Sequence, residues 1–170
     1  RVKVFTPGAE KGMNISVTID RLRLDLSKGT SVRIVGLSGV GKTRLVQALF
    51  DPRVKTNQAV LSADDVLYTD LSDGPSPQPS AMLEALIEDG SQCVLVVDNC
   101  GADTHQKLTE LLKKSGSKIG LVTVEYDVRD DLPEATKCYR LEGSSDDVIK
   151  RLLQRRYPVL SISDVDTITT

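Results

Sequence analysis

The sequence predicts an α/β domain in which a mostly parallel five-stranded sheet lies between helices, and three stretches predict it. Ser31 to Asp51 passes from a β-branched apolar run (Val32, Ile34, Val35) through three glycines within six positions into a segment with Leu45, Val46, Leu49 and Phe50 at helical spacing. That is strand, loop, helix. Val94 to Val97 is four consecutive aliphatics, the pattern of a central parallel strand buried on both faces. Lys118 to Tyr126, KIGLVTVEY, reads as another buried strand.

Within the first stretch, Gly36, Gly41, Lys42 and Thr43 fit the phosphate-loop pattern G-x-x-x-x-G-K-[ST], with Gly39 as a third glycine between them. The residue types follow from holding a polyphosphate. Glycines allow positive φ and close approach, so the amides of Gly36, Leu37, Ser38, Gly39, Val40, Gly41, Lys42, Thr43 and Arg44 can line an anion nest. The helix that starts near Lys42 adds its positive dipole end. Lys42 is expected to reach the β and γ oxygens of a nucleotide, and the Thr43 hydroxyl to sit on Mg²⁺. Asp98, at the carboxyl end of the aliphatic run, fits the Walker B position that holds the same ion. Its place about 55 residues after Lys42, with one strand and one helix between, gives that weak signal its weight. The whole predicts a P-loop NTPase three-layer sandwich of the added-strand type, with a strand standing between the phosphate-loop and Walker B strands.

A chain of 170 residues suffices for one α/β domain with a real core and is too short for two large ones. A net charge of −2 argues against a dedicated nucleic-acid module, which would carry a basic surplus. Cys93, Cys100 and Cys138 are odd in number and lack metal-ligand spacing, which suits reduced thiols and a cytoplasmic setting. No apolar run is long enough to span a bilayer, and no signal peptide opens the sequence. The opening RVKVF and closing DTITT read as neither natural end, so a domain of a longer protein is expected.

In order, residues 1–30 are expected to form an N-terminal β extension, since alternation in ISVTI and in Leu22, Leu24 and Leu26 reads as a hairpin covering one sheet edge. Residues 1–12 are the alternative source of base contacts. Residues 31–142 form the predicted core. Asp51-Pro52 ends its first helix, and a second strand is expected near Val66 to Thr69. Pro75, Pro77 and Pro79 mark a stiff connector, or else a proline-rich ligand, before a helix capped by Ser80 and closed by Gly90. Asp103 is expected to cap a helix running to Lys114, on which His105 is read as an exposed residue. Thr123, Glu125 and Tyr126 occupy the tip of the strand that follows, where polar groups can face a γ-phosphate. Arg129, in the charged loop DVRDDLP, is either an arginine finger or a surface arginine paired with Asp130 or Asp131. Lys137 to Leu141 suggests a fifth strand, and residues 143–170 two C-terminal helices, the first capped at Ser144 or Ser145 and the second starting at Ser163-Asp164.

GLSGVGKTRLVQALF, VLVVDNC and LVTVEYDVRDD together resemble the NTPase domain of STAND ATPases, in particular the large prokaryotic ones of antiviral defence systems. The resemblance covers roughly residues 31–170. The first thirty lack the usual hhGRxxE opening motif. The resemblance implies a cytoplasmic switch that binds Mg-ATP and forms homo-oligomers when a sensor domain meets its trigger, activating an effector domain. Asn99 stands where many such ATPases carry a second acidic residue, so slow hydrolysis is expected, with Glu125 or Asn99 positioning water and Lys42, Asp98 and Arg129 completing the catalytic set. The competing readings are a non-hydrolysing nucleotide-binding assembly module, a small-molecule kinase, and a DNA-dependent AAA+-like ATPase.

Overall fold

In the computed structural model, residues 2–6, 11–126 and 136–143 are described. Arg129 and both expected C-terminal helices lie outside them.

The phosphate-loop segment forms β2 (Ser31–Val35) and α2 (Lys42–Phe50), the helix ending where Asp51 adopts extended backbone ahead of Pro52. Three further strands carry the parallel sheet: β3 (Val66–Asp70), β4 (Val94–Asp98) and β5 (Gly120–Glu125). Between them lie α3 (Pro79–Glu88) and α4 (Ala102–Ser115). β6 (Lys137–Glu142) pairs parallel with β2 on its other side, and β1 (Lys3–Phe5) adds an antiparallel edge to β6. The described strands make one six-stranded sheet in the order β1-β6-β2-β5-β4-β3. β5 therefore stands between the phosphate-loop strand and the Asp98 strand, as the added-strand arrangement requires.

Side-chain alternation divides the core into two layers. Val32, Ile34, Val94, Val96, Val122 and Val124 face helix α2 and an N-terminal helix, packing on Leu45, Val46 and Leu49. Leu95, Val97 and Leu121 face α3 and α4, packing on Leu83, Leu108 and Leu112.

The N-terminal helix is a correction. Residues expected to form a β-hairpin fold instead as α1 (Ile15–Leu26). Asn14 caps it by accepting the Ser16 N–H at 2.9 Å. Burial of Ile19, Leu22 and Leu26 gives helical spacing, while Ile15 and Val17, which created the strand-like alternation, are exposed. Burying one apolar stripe outweighs the modest helix penalty of the β-branched residues. Arg23, 1% exposed, locks α1 to α2 by donating to the carbonyls of Ala48 (2.8 Å), Leu49 (3.0 Å) and Val54 (3.1 Å). It satisfies carbonyls that the end of α2 leaves open and places a cation at the negative end of its dipole.

Other boundaries shift by a residue or two. Gln78 rather than Ser80 is the N-cap of α3, with Pro79 in the first turn, and Gly101 rather than Asp103 is the N-cap of α4. Gly116 closes α4 in the left-handed region at φ 64°.

His105 is fully buried, not exposed. It occupies the core face of α4 with Leu108, Thr109 and Leu112, at positions i, i+3, i+4 and i+7. Its Nδ1 lies 2.7 Å from Thr123 Oγ1 and its Nε2 2.9 Å from Thr136 Oγ1. Thr123 is thereby a core residue rather than a strand-tip group. Burial, with a smaller contribution from the Arg33 charge, pushes His105 down to about 4 from the ordinary 6.5. The unfolded chain takes up the proton near 6.5 and the folded one only near 4. This histidine's contribution is thus complete above pH 6.5 and lost as the pH falls towards 4. The expected loss is about 2 kcal/mol, read as a fall in the chemical denaturation midpoint between pH 7 and pH 4.5. His105→Gln should flatten that dependence; an equally steep loss in the variant contradicts it.

Candidate functional site

The loop that follows β2 is shaped by glycine. Gly36 has φ 150°, and a Cβ there would stand 2.6 Å from the Leu141 carbonyl oxygen of β6. Gly41 is the N-cap of α2 at φ 100°, with no side chain to cap the helix. The first-turn amides of Lys42, Thr43 and Arg44 accordingly have no partner inside the helix, and they emerge at its positive end. Leu37, Ser38 and Gly39 are exposed above the sheet, and Val40 bridges loop to core.

Lys42 folds back over this loop. Its Nζ donates to the carbonyls of Gly36 (2.8 Å) and Leu37 (3.0 Å) and lies 6.0 Å above the centre of the Tyr126 ring. Partial burial lowers its pKa, against the charges of Asp98 and Glu125, which both raise it. Lys42 therefore lies in the field of both carboxylates, at the carboxyl ends of β2, β4 and β5.

Asp98 ends β4 and is buried. Its Oδ1 accepts the Asn99 N–H at 2.9 Å. Its Oδ2 accepts the Tyr68 hydroxyl at 3.0 Å and the Thr43 hydroxyl at 3.4 Å. Thr43, 55 residues away in sequence, is thus brought against Asp98. A hydroxyl facing a carboxylate beside a phosphate loop is a hard-oxygen donor set that fits magnesium. Among the described residues no group of three or more His, Cys, Asp or Glu side chains is placed to hold a metal ion, so phosphate oxygens and water would complete the coordination. Burial, followed by the bond to Asp98, pushes the Tyr68 phenol up to about 12.

Asn99 adopts left-handed backbone at φ 52°. Its side-chain amide donates to Asp70 Oδ1 at 2.7 Å and to Ser72 Oγ at 3.4 Å, which ties the end of β4 to the tip of β3. The Asn99 bond, with those from Ser72, holds the Asp70 carboxyl below its usual range.

Glu125 ends β5, facing Gly101. Its Oε2 lies 3.9 Å from the guanidinium of Arg33, a buried residue of β2 that also donates to the Cys100 carbonyl at 3.1 Å. Its Oε1 accepts the Tyr126 N–H at 3.3 Å. Tyr68, Asp70 and Arg33 were not singled out from sequence. In the β3–β4 register Tyr68 pairs with Val96 and Asp70 with Asp98, so Tyr68 and Asp70 meet Asp98 and Asn99 only once the two strands are aligned.

No protein-family model matches the chain. Over 105 residues it is 35% identical to the small ribosomal subunit biogenesis GTPase RsgA 1 of Bacteroides thetaiotaomicron, an alignment covering 58% of this chain and 26% of that protein. The chain thus spans about a quarter of the length of that relative. Among solved structures it is similar to Rhizobiales Trip13, at 16% identity and TM-score 0.47 over 88% of this chain and 59% of that one. A complex of HORMA, CdnC and Trip13 from E. coli MS115-1 aligns at 11% identity and TM-score 0.49, over 91% and 66% of the two chains. A STAND protein with a tetratricopeptide repeat sensor from Pyrococcus horikoshii aligns at 13% and 0.45, over 96% and 28%. The chain's own strand order, with β5 between β2 and β4, and its glycine loop leading into α2 are those of a P-loop NTPase fold.

Proposed function

We propose that this protein binds Mg-ATP at the loop from Gly36 to Arg44 and hydrolyses it slowly, serving as the nucleotide-dependent oligomerisation switch of a STAND-type protein. The observation that carries the reading is the geometry at three neighbouring strand ends: Lys42 folded over the loop and above the Tyr126 ring beside Glu125, and Thr43 against Asp98. Loop amides and Lys42 bind the β- and γ-phosphates, Lys42 exchanging its bonds to the Gly36 and Leu37 carbonyls for phosphate oxygens. Thr43 and Asp98 hold magnesium, which when bound neutralises charge on the phosphate oxygens. Glu125 orients a water for in-line attack on the γ-phosphorus and takes its proton as the bond from that phosphorus to the bridging oxygen breaks. Asn99, with its amide N–H groups committed to Asp70 and Ser72, is a latch rather than a base.

Two features favour ATP over GTP. The added-strand order matches ATPases of the kind the sequence resembles. A cavity of about 290 Å³ beside the loop is lined by Ile15, Ile19, Val40, Arg44 and Ala48, and no carboxylate lines it among the described residues to accept the ring N–H groups of guanine. The similarity to an RsgA GTPase favours GTP instead. Single-turnover phosphate release separates the two. Release from ATP, with GTP at least tenfold slower, is expected. Faster release from GTP would replace the ATP reading, and release from neither would leave a nucleotide-binding module.

The latch makes its own prediction. Asn99→Asp sets a carboxylate against Asp70 at the position of a 2.7 Å hydrogen bond, so a lower melting temperature and no gain in turnover are expected at pH 7.5. Adding Asp70→Asn should restore the melting temperature. An Asn99→Asp variant as stable as wild type, or hydrolysing faster, contradicts the latch.

A further inference from the structure

The side chain closing over Asp98 belongs to no motif. Tyr68 lies on β3, the sheet edge opposite β1, and its ring walls a cleft of about 820 Å³ between α2 and β3, lined also by Thr43, Gln47, Phe50 and Val96. The residue is 56% exposed, so packing does not explain where its hydroxyl goes. That hydroxyl reaches 3.0 Å from Asp98 Oδ2, the same oxygen the Thr43 hydroxyl approaches.

We propose that Tyr68 is a positioning residue for the magnesium site, fixing the plane of the Asp98 carboxylate so that Oδ2 faces Thr43. The inference rests on the Mg-nucleotide reading above. The terminal torsion of an aspartate is broad and roughly two-fold, so an unrestrained carboxylate samples a wide arc. Here each oxygen has a donor from a different element: the Asn99 N–H holds Oδ1 and the Tyr68 hydroxyl holds Oδ2. A phenol bond to a carboxylate is charge-assisted and short-ranged, so it sets direction as well as energy. An ionised carboxylate has about four lone-pair sites; with Tyr68 on one side of Oδ2, the side facing the Thr43 hydroxyl is the one that passes to the ion or its water when Thr43 turns its own oxygen to the metal. The same strand carries Asp70, whose bond to Asn99 holds the end of β4 from the other side. β3 thus steers the metal carboxylate without itself supplying a ligand.

The test is Tyr68→Phe, which removes one oxygen and keeps the cleft wall. Fluorescent ATP binding is measured as a function of Mg²⁺, and again without Mg²⁺, alongside thermal unfolding. Outer-shell partners of metal ligands change affinity by about 10- to 100-fold. With phosphates supplying part of the coordination, the half-saturating Mg²⁺ concentration should rise about tenfold, while the magnesium-free nucleotide affinity and the melting temperature stay as in wild type. A half-saturating Mg²⁺ concentration within twofold of wild type overturns the proposal. So does a parallel loss of magnesium-free affinity or of melting temperature, which would mark a structural role. If wild-type binding itself shows no dependence on Mg²⁺, the nucleotide reading fails and takes this inference with it.

Discussion

Glu125→Gln is expected to lower single-turnover phosphate release by at least a hundredfold and to leave Mg-ATP affinity within about threefold of wild type. General-base catalysis contributes about 10²- to 10⁴-fold, and an amide of the same shape orients water without accepting its proton. The alternatives narrow to this residue because Asn99 is engaged with Asp70 and Ser72, and Asp98 with Thr43 and Tyr68. Arg33 lies beneath Glu125 at the strand tip, its guanidinium 3.9 Å from Oε2. Unchanged phosphate release in Glu125→Gln would move the base elsewhere, and a matching loss of affinity would make Glu125 a binding residue.

The second large effect is on binding. Lys42→Ala should weaken fluorescent Mg-ATP binding by about a hundredfold, which corresponds to about 2.7 kcal/mol. Its ammonium is partly buried beside Asp98 and Glu125, so it neutralises two carboxylates as well as meeting phosphate. Deleting it leaves those charges facing the incoming triphosphate, a repulsion strengthened where water is excluded. The melting temperature without nucleotide should change little, since the two carbonyls it bonds belong to a loop largely open to solvent. Affinity within threefold of wild type would remove Lys42 from the site.

How far the sequence reveals the molecule depends on the range of the interaction concerned. The phosphate loop is legible because Gly36 and Gly41 answer local backbone demands, and β4 because four consecutive aliphatics have few other uses. α1 is misread because Ile15, Val17 and Ile19 alternate like a strand while the decisive helical set, Ile19, Leu22 and Leu26, overlaps them. His105 shares the spacing of Leu108 and Leu112, so its burial was recoverable from the helical period, although its two shortest threonine contacts come from β5 and from the residue before β6. Arg33 sits inside an apolar strand, and nothing local distinguishes a buried ion partner from an edge-strand arginine. Tyr68 and Asp70 are beyond local reading altogether. Their meeting with Asp98 and Asn99 follows from the register of two strands whose sequences do not encode the pairing separately.

The central claim is that the strand ends of β2, β4 and β5 together receive a magnesium-bound triphosphate. Calorimetric titration of the wild-type protein with ATP, in matched buffers with and without Mg²⁺, addresses it most directly. Saturable uptake of one ATP per chain, markedly tighter with Mg²⁺, is the predicted result; no saturable heat in either buffer would contradict it.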